Sequence, residues 1–128
     1  MKEFENNAYF WQKLDSLVFS SVYVKTHNVG DIHPHHPSIV YPLEYGYVVD
    51  VIGEAPIINI FKGSLSEAKC DTMIICCDIL DRTIDIKLLQ GCSEDEQRQC
   101  LEFLNSTSFQ KTIVIRRSDE VPVWASYE

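Results

Sequence analysis

Four short runs of β-branched and aromatic residues crowd the middle of this chain, and they constrain its fold more than any other feature. They occupy residues 45–52, 57–61, 70–80 and 84–89. Turn formers separate them: Gly53-Glu54-Ala55-Pro56, a polar connection at 63–68, and Asp81-Arg82-Thr83. Runs of this length and composition between such breaks read as strands. The last alternates Ile84, Ile86 and Leu88 with Asp85, Lys87 and Leu89. A short strand is predicted at 21–26, with Val22 and Val24 on one side, and a final one at Ile113-Val114-Ile115.

Two helices are expected around these strands. Phe10, Leu14, Leu17 and Val18 fall on one helical face within residues 7–19, flanked by Tyr9 and Trp11, and Ser20 and Ser21 close that helix. Ser93 and Glu96 match a capping box, and Glu94 and Asp95 suit the positive end of the helix they open. Cys100, Leu101 and Leu104 form its apolar stripe, and residues 105–108 end it. Strands outnumber helices and do not alternate with them one for one. The class is therefore α+β, as a single domain over 1–128: a small barrel of five to six strands, closed or partly open, with an N-terminal helix and a helix before the last strand. Residues 27–42, broken by Pro34, Pro37 and Pro42, read as a loop, and the tail 118–128 as loosely attached.

Charge narrows the partners. With 19 acids against 11 bases the chain carries -8, and no basic patch is present to displace counterions from nucleic acid. Nucleic acid and membrane are both excluded as expected partners: the longest apolar stretch, residues 73–77, is far too short to cross a bilayer, and the acidic start lacks the apolar segment of a signal peptide. Five cysteines at spacings that match no C-x-x-C pattern read as reduced thiols of a cytoplasmic protein.

Three segments could carry chemistry. All four histidines (His27, His33, His35, His36) lie within ten residues, but in a proline-rich loop without zinc-ligand spacing, so an exposed loop is the preferred reading over a metal site. Tyr45 and Tyr47 share one strand face after Tyr41. Their hydroxyls could hold phosphate oxygens, or the rings could simply be core, and Gly46 between them admits a close neighbour. Arg116 and Arg117 point to opposite faces of a strand, so one could enter a site, or both could be solvated.

The stretch H-P-x-x-P-x-I-V-Y-P-L-E-Y-G-Y-V at 33–48 resembles the first active-site strand of the soluble (type I) inorganic pyrophosphatases, and it is closest to short pyrophosphatase-like proteins of anaerobic bacteria. Residues 10–15, 58–64, 85–92 and 113–117 agree in order, so the resemblance covers roughly 10–117. It implies an oligonucleotide-fold-like β-barrel that hydrolyses pyrophosphate, a polyanion whose charge magnesium ions must offset. It also implies roles. Asp85 would act at the reaction centre and hold metal with Asp81 and Asn59. Glu54, or Asp50, would replace the general base. Lys87, Tyr45, Tyr41 and Arg116 would contact phosphate.

The departures matter as much. The family's D-x-D-P-x-D cluster corresponds here to residues 53–59, and no aspartate survives whether the alignment is anchored on Pro56 or on the strand behind it. Thr26-His27-Asn28-Val29-Gly30 replaces the D-R-P-K-G of the short members, and His35 stands where an arginine is usual. Two functions follow: a magnesium-dependent diphosphate hydrolase of weak or altered activity, or a non-catalytic paralogue that binds a small phosphorylated ligand or serves as a structural or interaction module. A homo-oligomer is expected from any exposed strand edge.

Overall fold

A computed structural model describes residues 4–50, 55–66 and 69–121, with backbone alone at 36–38. Helix α1 (Ala8–Phe19) is followed by strands β1 (Val22–His27), β2 (Ile32–His33), β3 (His36–Val40), β4 (Glu44–Val49), β5 (Pro56–Lys62), β6 (Cys70–Asp78) and β7 (Thr83–Gln90). Helix α2 (Glu94–Leu104) and strand β8 (Gln110–Arg116) close the order. The class is α+β, as expected. Six strands form one sheet in the order β1-β4-β5-β7-β6-β8, antiparallel except where β5 meets β7. The segment expected to be a bare loop contains the β2–β3 hairpin, joined by Ile32–Val40 and His33–His36 pairing. Pro37 is accommodated because this two-stranded sheet stands apart from the main one.

The sheet buries both faces. Side chains alternate along each strand, so Ile60 and Phe61, or Leu88 and Leu89, serve opposite sides. On one side Val48, Ile60, Met73 and Leu88 pack with Trp11 and Leu14 of α1. On the other, Phe61, Ile74, Cys76 and Leu89 pack with Cys100 and Leu104 of α2 and with Tyr41 and Leu43. Each large apolar side chain so enclosed contributes about 1.5–3 kcal/mol against exposure. Among the described residues no ladder joins β1 to β8, so the hydrogen bonding does not close into the expected barrel. With a core on each face, each helix covers one side of an open sheet.

Helix α1 is turned from the expected face. Ala8, Trp11 and Leu14 are buried, whereas Phe10 and Leu17 are exposed. Trp11 wins because its indole Nε1 donates to Asn6 Oδ1 at 2.6 Å and its ring faces the Arg117 guanidinium, while Asn7 caps the helix through the Tyr9 and Phe10 amides. Arg117 binds Asp15 through both Nη atoms, at 3.1 and 2.9 Å, which fixes α1 to the end of β8. The capping box of α2 forms as the sequence indicates, and Glu96 also accepts from the Ser64 amide and hydroxyl. In the start of the tail, Ala8 donates its amide to the Glu120 carbonyl at 2.8 Å, so this part is attached; residues 122–128 lie outside the described set.

Candidate functional site

The register of the sheet assembles the site. Tyr45 pairs with Phe61, Tyr47 with Asn59, Asn59 with Lys87, and Asp85 with Cys76. Paired residues share a face, so Tyr45, Tyr47, Asn59, Asp85 and Lys87 all project toward the α2 side. Gly46, between the two tyrosines and on the opposite face, admits β1. A Cβ there would lie 2.2 Å from the Val24 carbonyl oxygen, so the close neighbour is the β1 backbone.

Lys87 is the centre. Its ammonium donates to the Tyr45 hydroxyl at 2.7 Å and to Asp85 Oδ2 at 2.9 Å. The lysine side chain is only 12% exposed, against 37% for Asp85, so the cation is enclosed and its acid faces outward. Burial works to lower the Lys87 pKa, but the Tyr45 oxygen and the Asp85 carboxylate act the other way and prevail, so it stands above the ordinary lysine value. Burial raises the Tyr45 phenol against the pull of Lys87, which keeps it a neutral hydroxyl near pH 7. Burial also pushes the Cys76 thiol up to about 11.

A second layer of rings backs this trio. The His27 ring stacks on Tyr41 at 4.2 Å between centroids, and Tyr41 lies 5.6 Å from Tyr45 and 4.9 Å from Phe103. Tyr41 is buried, and burial raises its phenol above the ordinary value. It belongs to the aromatic core that was one of its two sequence readings. His27 was not a candidate for this place. An irregularity between Lys25 and His27 sets it opposite Tyr45, and nothing in the local sequence marks that bulge.

The remaining candidates are dispersed. Asn59 and Asp85 line a groove of about 360 Å³ that opens because pairing of β5 with β7 begins only at Asn59 and Lys87. Asp81 is exposed at the β6–β7 turn and lines a different cavity with Asp78, His33 and His35. Its amide donates to Asp78 Oδ1 at 2.9 Å. Arg116 bonds Thr72 Oγ1 and Gln97 Oε1 beside α2. Strand spacing and rise put its Cα roughly 12 Å from that of Lys87. Glu54 lies outside the described residues.

Magnesium wants several hard oxygen donors converging on one point. Near Lys87 the donors are Asp85, already bound to the ammonium, and the neutral Asn59. Among the described residues no group of three or more His, Cys, Asp or Glu side chains could hold a metal ion, His27, His33 and His35 included. The described donor set does not fit the ion. No family model, curated protein or solved structure matches this chain. Among the described residues no helix is long and apolar enough to cross a membrane.

Proposed function

We propose that this chain is a non-catalytic domain of the inorganic pyrophosphatase type, a module that holds phosphate oxygens weakly through Lys87 and Tyr45 and does not hydrolyse pyrophosphate. One observation carries the reading: the acid beside Lys87 is spent on Lys87 itself. Hydrolysis of a polyanion needs free carboxylates to seat its counter-cations, and a lysine neutralised by its own carboxylate supplies none. Lys87 has three donors and uses two, so one remains for a phosphate oxygen. With net charge -8 opposing the approach, the affinity is in the millimolar range, about -4 kcal/mol.

The barrel of that family belongs to the same reading, as a partly open form whose edges are β1 and β8. Those edges are also where a second copy would add to make a homo-oligomer, which size-exclusion chromatography with light scattering tests. Five free thiols, four of them buried, support the cytoplasm as the compartment.

The deciding experiment is phosphate release from pyrophosphate by purified protein with magnesium or manganese. We expect none above a heat-killed control. Pyrophosphate should instead produce amide NMR shifts around Lys87 that vanish in Lys87→Met. Magnesium-dependent release abolished by Asp85→Ala would overturn the proposal and restore the hydrolase, with Asp81, Asp85 and Asn59 on metal and Glu54 as base.

A further inference from the structure

The opposite face of the sheet carries another cavity, unrelated to the pyrophosphatase resemblance. It measures about 420 Å³ and lies between the end of α1, strands β1, β4 and β5, and the connection after β5. That volume is within the range of small-molecule pockets, roughly 300–1,000 Å³. Val48 and Ile60, 1% and 0% exposed, close its base, and its accessible apolar surface belongs to Val18, Phe19 and Leu65.

One cation enters this space. Lys62 stands 4.0 Å above the Tyr23 ring, and among the described residues no carboxylate is within ion-pair distance of it. Glu44, its cross-strand neighbour, is engaged by the Tyr23 hydroxyl at 2.9 Å. The carboxyl end of α1 would repel an anion, but Ser20 and Ser21 take up the carbonyls of Ser16, Leu17 and Val18. The ammonium therefore faces a half-open pocket of mixed lining, with Ser21, Ser66 and Gln90 beside the apolar side chains, and among the described residues its hydrogen-bond donors are uncommitted.

We propose that this pocket binds a small amphipathic monocarboxylate, its apolar body on Val18, Phe19 and Leu65 and its carboxylate on Lys62. A single ammonium suits one carboxylate better than a multiply charged phosphate. The exposed apolar side chains of Phe19 and Leu65, with Val18, favour a hydrocarbon or ring attached to it.

The test is titration of the full chain with octanoate and, separately, octan-1-ol, followed by amide NMR. Octanoate should shift Ser21, Tyr23, Lys62, Gly63 and Leu65, and should bind about tenfold tighter than the alcohol. Lys62→Met should erase that preference. Leu65→Glu, at the exposed rim where folding is not at risk, should weaken octanoate far more than octan-1-ol, because only the acid meets the new carboxylate. Equal binding of acid and alcohol, shifts elsewhere, or indifference to both substitutions would overturn the proposal.

Discussion

Lys87 and Asp85 project from the same strand two residues apart, with the ammonium 2.9 Å from the carboxylate and the acid much the more exposed of the two. The pair should respond asymmetrically to mutation. Asp85→Ala leaves an enclosed cation with a phenol as its only described partner, and should cost about 2–3 kcal/mol once the acid's partial exposure is allowed for. Lys87→Met leaves a carboxylate that water can solvate, and should cost about 1 kcal/mol or less. Urea unfolding of the two variants measures the difference. Equal losses would mean that the cation is less enclosed than its geometry indicates.

Gly46 pairs with Lys25 of β1, with the Val24 carbonyl 2.2 Å and the Tyr23 ring 2.9 Å from where a Cβ would stand. Backbone on the near side cannot rotate away as a side chain would. Gly46→Ala should therefore push β1 off the sheet and cost on the order of 3 kcal/mol. It should also perturb His27, which β1 carries to the ring stack over Tyr41. Thermal melting gives the first effect, and the His27 ring resonances give the second.

Much of this arrangement is legible in the amino-acid sequence, and the parts that are not have a common cause. Ser93 and Glu96 announce their cap because that interaction closes within four residues. The alternation of Tyr45, Gly46 and Tyr47 announces a shared face because a strand's period is two. The buried side of α1 is different: Phe10, Leu14 and Leu17 make as good a stripe as Ala8, Trp11 and Leu14. The choice is made by Asn6 and by Arg117, which lies 102 residues from its partner Asp15. His27 likewise reaches the site through a bulge that only strand pairing reveals. The splitting of Asp81 from Asp85 depends on a turn, through Arg82 at φ 58°, that sends the two acids to separate cavities.

The cysteines give a third prediction. Burial pushes Cys76 up to about 11 and Cys70 and Cys92 up to about 12, and raises Cys100 as well, so all four remain protonated and inaccessible at about pH 8. Cys77, adjacent to Cys76 but on the opposite face of β6, is exposed. A thiol reagent should titrate one cysteine rapidly in the native protein and all five after denaturation. Cys77→Ser should remove the fast phase. Rapid labelling of a second thiol would show that one of the two cores opens readily.

Glu96 links the start of α2 to the β5–β6 connection, accepting from the Ser93 amide at 2.9 Å and from the Ser64 amide and hydroxyl at 3.0 Å each. Burial acts to raise its pKa, but these donors together outweigh burial and hold it below the ordinary value of 4.5. A carboxylate lowered on folding stabilises the protein above its unfolded value and loses that contribution as pH falls through the folded one. Glu96→Ala should thus cost about 1 kcal/mol at neutral pH, as expected for a lost cap. The gap between wild type and variant should narrow as pH falls through about 4.5, where the unfolded carboxyl is half protonated, and on through the lower folded value. Melting temperatures of both proteins across the acid range measure this. A gap independent of pH would place the contribution of Glu96 in packing, because a charge-assisted cap must weaken when the charge is removed.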